Sequence, residues 1–153
     1  KIFTGMIFYI IYAVSTNKES LEDKKIRTKK EFLQQEKIGK YIKWELQLLK
    51  SLGFGLDLEK CIVSGSKKDL KFVSPKSGCA VSRKSSIGWE KKLLLLPDFL
   101  WKTKLTNSLS KADLNNGFKL TEYFIKKNLQ PVRNFQMNPF FNLRNRVLSL
   151  KSF

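Results

Sequence analysis

Tyr41-Ile42-Lys43-Trp44-Glu45-Leu46-Gln47-Leu48-Leu49-Lys50-Ser51-Leu52-Gly53 is the stretch whose spacing decides the fold. With Ile38 upstream, the residues Tyr41, Ile42, Leu48, Leu49 and Leu52 recur mostly at helical intervals, while Lys40, Lys43, Gln47 and Lys50 fall on the other side. A helix has that period because 3.6 residues per turn return positions three and four apart to one face. Gly53 follows at once, and glycine best tolerates the left-handed stop that ends many helices. The spacing predicts a helix over residues 31–52.

Upstream, Ser15 to Lys30 is polar and highly charged and reads as an exposed connector with a few helical turns. Ile2 to Val14 is apolar on nearly every side, which predicts a helix enclosed by neighbours. The run is too short to span a membrane, which takes about 20 apolar residues. The chain opens on Lys1, as expected of a piece of a longer protein.

Downstream the texture changes to short β-type runs, Cys61-Ile62-Val63, Leu70-Lys71-Phe72-Val73 and Cys79-Ala80-Val81. Polar, turn-forming stretches separate them at 64–69 and 74–78. Leu93 to Leu96 is apolar and stops at Pro97, and Phe99, Leu100 and Trp101 follow. Ser110-Lys111-Ala112-Asp113 has the form of a capping box and opens a helix with Leu114, Phe118, Thr121, Phe124 and Ile125 on one face. Asn138-Pro139 precedes a last helical pattern with Phe140, Leu143, Val147 and Leu150 on its buried side. The expected fold is mainly α, a helical bundle with a small antiparallel β knuckle inserted. Its parts are a first helical section at 1–53, the insertion at 54–88 and a second helical section at 89–153.

Thirty Lys and Arg oppose 13 Asp and Glu, a net charge of +17, and residues 91–153 alone contribute +9. Such a field attracts polyanions. The Lys-rich balance, with five Arg, also follows from an AT-rich coding sequence. Histidine is absent, which removes the commonest general acid-base group, and Glu45 and Asp57 have no reason to converge on a substrate. Glu45 is expected to satisfy a polar group at a helix edge, and Asp57 to sit in a turn. No catalytic residue and no cofactor are expected.

Several blocks resemble the RecO family of bacterial DNA-repair proteins. Tyr41 to Leu58 is similar to the family's helix and exit turn, Cys61-Ile62-Val63-Ser64-Gly65 and Phe72 to Gly78 to its knuckle, and Leu93 to Leu100 to the segment after it. Gly117-Phe118-Lys119-Leu120-Thr121 and Leu143-Arg144-Asn145-Arg146-Val147 are similar to its closing helices. The resemblance covers about residues 38–148. It implies a helical domain with a zinc-finger-like insertion, which in the family follows an N-terminal OB-fold. It further implies binding of single- and double-stranded DNA and work in the RecF pathway of recombination. The implied partners are RecR, the acidic tail of single-strand-binding protein and, in some members, RecF. The expected setting is cytoplasmic, with no membrane partner.

Many relatives hold zinc with two Cys-x-x-Cys pairs in the knuckle. The corresponding positions are Cys61 with Ser64 and Ser82 with Ser85, while Cys79 lies outside both pairs. A serine hydroxyl does not replace a thiolate, so no metal is expected, with the knuckle held by packing of Ile62, Val63, Phe72 and Val81. Candidate phosphate contacts are Lys76, Arg83 and Lys84 around the knuckle and Lys126, Lys127, Arg133, Arg144 and Arg146 later. Trp89, Trp101 and Phe99 stack bases or pack in the core or at a domain interface, and their leucine neighbours favour packing. For an acidic tail, the helix around Phe118 to Lys127 offers both apolar and basic groups.

Overall fold

The computed structural model describes residues 21–102, 109–131, 141, 142, 144–146 and 149. The expected helix at Ile2 to Val14, the N-cap at Asn138-Pro139 and the candidate Arg133 lie outside them. The chain divides into two compact units, 1–33 and 34–153.

Helix α1 spans Leu21–Ser51 and is longer than its apolar pattern implied. The expected connector is helical from Leu21, because residues 21–38 contain no Gly or Pro and are mostly strong helix formers. In the first unit its turns are solvent-facing: Ile26, Phe32 and Leu33 are exposed, and Arg27 pairs with Glu31 one turn on at 3.7 Å.

In the second unit, α1 buries Ile38, Ile42, Glu45 and Leu49 along one stripe. Leu52, expected on that stripe, is exposed, because the helix ends at Ser51 and Gly53 turns the chain away at φ +85°. Strands β1 (Leu70–Val73), β2 (Ala80–Ser82) and β3 (Leu94–Leu95) form an antiparallel sheet in the order β2-β1-β3. Val73 pairs with Ala80 on one side and Leu94 on the other, and a bulge lies between Leu70 and Phe72. The apolar run before Pro97 thus supplies a third strand from beyond the expected insertion. Cys61-Ile62-Val63 is a turn and not a strand: Gly65 N–H donates to Cys61 O and closes it. Ile62 and Val63 are 55% and 70% exposed, so they do not pack the knuckle as expected.

Helix α2 (Lys111–Leu129) begins as its sequence indicates, with the Ser110 hydroxyl accepting from Asp113 N–H at 3.0 Å. It covers the sheet through Leu120, Phe124, Ile125 and Leu129, which pack with Val73, Ala80, Val81 and Leu96. Farther back it meets α1, where Leu114 and Phe118 join Ile38, Ile42 and Phe99. Gly117 permits this approach: a Cβ there would lie 3.0 Å from the Phe99 ring and 3.2 Å from Ile42. The fold is mainly α with a small three-stranded sheet. Among the described residues, no helix is long and apolar enough to cross a membrane.

Candidate nucleic-acid interface

The knuckle gathers the four positions that the sequence singled out. Cys61 enters from the turn after α1, and Ser82 and Ser85 from the end of β2 and the 3-10 turn Lys84–Ser86. The Ser82 hydroxyl donates to Ser85 Oγ at 3.1 Å, and Ser85 N–H donates back to Ser82 Oγ at 3.4 Å. Burial acts to raise the Cys61 thiol, but hydrogen bonds from the Ser64 hydroxyl and from the Ser82 and Ser64 backbone outweigh it and bring it down to about 5. The set holds one sulfur and three hydroxyls, two of them bonded to each other. That donor chemistry does not fit structural zinc, which takes four thiolate or imidazole ligands. Backbone bonds and apolar packing brace the knuckle instead. Ile62 N–H donates to Ala80 O, Ala80 N–H donates to Asp57 O, and Cys61 is buried with Leu70 and Val81.

The sheet hairpin separates the candidate cations into two groups. Lys76 sits in the turn between β1 and β2, and Lys127 on α2 reaches it, donating to Pro75 O at 2.6 Å and Lys76 O at 3.2 Å. Lys126, on the same exposed helical edge, pairs with Glu122 at 2.5 Å and lies over Phe141. Arg83 and Lys84 stand at the opposite end of the hairpin, where Arg83 meets Asp69 at 3.5 Å across solvent. Arg146 is exposed on the last helical segment.

Arg144 is not a surface cation. Its side chain is 1% exposed, with Nε 3.5 Å from Glu45 Oε1 and Nη1 3.7 Å from Glu122 Oε2. Nη2 donates to Phe118 O and to Thr121 Oγ1, and Thr121 Oγ1 donates to Glu45 Oε2. Burial lifts the Glu45 carboxyl above its usual range, against the Arg144 charge and the Thr121 hydroxyl, which lower it. A guanidinium enclosed this way neutralises a buried carboxylate and is shut off from phosphate. Glu45 does satisfy a polar neighbour, but at the centre of the helical packing and not at its edge. The sequence signal for this was a lone acid on the apolar stripe of α1.

The large aromatics also divide. Phe99 is buried in the cluster with Ile42 and Phe118, and Trp101 is half-buried against the cluster around Leu70 and Leu120, whereas Trp89 is 59% exposed, contrary to the packing expected from its neighbours. The apolar face of α2 from Phe118 packs into the core through Phe118, Leu120, Phe124 and Ile125, while Lys126 and Lys127 face outward. A groove of about 240 Å³ opens elsewhere, with Leu46, Leu56, Leu58 and Leu100 as its floor and Lys43 and Lys50 on its rim.

The family described as "Recombination protein O C terminal" matches residues 31–134. Proteins named DNA repair protein RecO are similar. The one from Bradyrhizobium sp. (strain BTAi1) is 46% identical over 58% of this chain and 36% of its own length. That from Cereibacter sphaeroides (strain ATCC 17029) is 40% identical over 72% and 44%. That from the Wolbachia of Drosophila simulans is 45% identical over 72% and 46%. The chain thus spans less than half the length of these curated relatives. No solved structure gives a significant match. With the match covering α1 from Glu31, the whole knuckle and α2, this chain belongs to the RecO C-terminal family.

Proposed function

We propose that the chain is the DNA-contacting and partner-docking part of a recombination mediator in DNA repair, acting in the cytoplasm without chemistry of its own. The family match over residues 31–134 carries this reading, and the matched relatives are named for DNA repair. The net charge of +17 supports electrostatic contact with phosphates. Lysine heads on flexible stems neutralise backbone without reading sequence, so the binding is non-specific. The solvent-facing candidates are Lys76, Lys126, Lys127, Arg83, Lys84 and Arg146.

The groove beside α1 favours a docking role as well. Leucines beneath a lysine rim suit an acidic segment with hydrophobic end residues, such as the tail of single-strand-binding protein. RecR and, in some settings, RecF are the further partners of this reading. The same groove supports a second reading, an adaptor that binds the tail peptide and has no DNA affinity.

Anisotropy titrations with labelled single-stranded and duplex DNA separate the two. The mediator binds both, with log affinity falling linearly as log salt rises. Absence of affinity for either at low salt leaves the adaptor. Charge reversal at Lys43 and Lys50 is expected to abolish tail-peptide binding and leave the DNA titration nearly unchanged.

A further inference from the structure

The loop carrying Trp89 holds an aromatic ring in water on a fixed backbone. Trp89 N–H donates to Ser86 O and Lys92 N–H donates to Trp89 O, each at 2.8 Å. Ser86 is itself buried, and its hydroxyl donates to Arg83 O at 2.8 Å. Gly88, at φ +82°, makes the reversal that a side chain would resist. Hydrogen bonds therefore pin the chain on both sides of Trp89, yet the indole stays 59% exposed. Burying an indole is among the larger gains open to a fold, so a rigid loop that leaves one in solvent presents a ready surface.

The charges around it select what fits that surface. Lys92 Nζ lies over a face of the Trp89 ring, 4.9 Å from its centre, and with Lys84 and Lys91 it outnumbers Glu90, the acid exposed on the same short loop. A π face among ammonium groups complements a ligand with flat rings on an anionic backbone. Duplex DNA keeps its base faces stacked on one another, whereas an unpaired strand has them free. We propose that Trp89 is a stacking platform for an unpaired base of single-stranded nucleic acid, with the adjoining phosphates neutralised by Lys84, Lys91 and Lys92.

This rests on the DNA-binding reading above, and the test separates the two. Trp89→Ala and Trp89→Phe are compared with the unchanged chain on oligothymidine, on the same strand without bases, and on duplex. Stacking predicts that Trp89→Ala weakens oligothymidine binding about tenfold, leaves duplex binding nearly unchanged, and erases the preference for the strand with bases. Trp89→Phe retains most of that preference. If Trp89→Ala binds oligothymidine as tightly as the unchanged chain, or loses both DNA forms alike, the platform is refuted while DNA binding stands. If the unchanged chain binds no DNA at low salt, both readings fall. Loss of a protein contact alone would assign Trp89 and the neighbouring Ile87 to a protein partner and overturn the stacking role.

Discussion

Arg144 and Glu45 form an ion pair inside the protein, Nε to Oε1 at 3.5 Å, with side chains 1% and 0% exposed. Through it the last helical segment is tied to α1, and Thr121 of α2 bonds to both partners. Removing one partner strands the other charge, whereas removing both leaves no unpaired charge, and the Thr121 hydroxyl still donates to Phe118 O. Glu45→Leu and Arg144→Met are each expected to destabilise the fold by about 3–5 kcal/mol, and the double variant by much less than their sum. A denaturant double-mutant cycle measures the coupling. Additive losses would show that the two groups do not interact.

Asp98 links β1 to the 3-10 turn before α2, receiving Lys71 at 2.9 Å and Lys102 at 2.5 Å. Burial acts to raise its carboxyl, but the two ammonium groups outweigh it and hold Asp98 below the usual carboxylate range. The folded form therefore binds this proton less tightly than the unfolded one. Its stability contribution is present above the ordinary value of about 3.9 and is lost as pH falls through the depressed value. Asp98→Asn is expected to cost about 0.5 kcal/mol or less near neutral pH, after solvent screening. The gap to the unchanged chain should close in strong acid. Unfolding curves at stepped pH measure it, and a gap that persists in strong acid would contradict the linkage.

Gly117 sits where α2 meets the Phe99 ring and Ile42, and a Cβ there would lie 3.0 Å from that ring. Gly117→Val is expected to lower stability by about 1–3 kcal/mol through overpacking, despite the gain in helix propensity over glycine. Thermal unfolding tests this, and an unchanged midpoint would mean the two helices part at no cost.

Metal should be dispensable to the knuckle. Purified chain is expected to carry no stoichiometric zinc, and its melting temperature should not respond to chelator. Because Cys61, Ser64, Ser82 and Ser85 already converge, the triple variant Ser64→Cys, Ser82→Cys, Ser85→Cys is expected to take up zinc and become chelator-sensitive. Elemental analysis of both proteins decides, and tightly held zinc in the unchanged chain would refute the claim.

The elements legible in the sequence were those governed by local chemistry. The Ser110 cap, the Gly53 stop, the helical stripe at Ile38, Ile42 and Leu49 and the β1–β2 hairpin all appear where spacing placed them. The errors fell where neighbours distant in sequence decide. Cys61-Ile62-Val63 has strand-like composition, but a turn bond to Gly65 takes its backbone. Leu94 and Leu95 became a strand because β1 had an open edge.

The same division runs through the candidate site. Composition alone established a strongly cationic chain lacking histidine, and the family resemblance showed serines at three of its four zinc-pair positions, since neither needs geometry. Only tertiary packing decided which cations face water. It enclosed Arg144 against Glu45, kept Lys76 and Lys127 together and left Trp89 outside. The reason is that a side chain's burial is set by the surfaces that fold against it, and local spacing does not specify those surfaces.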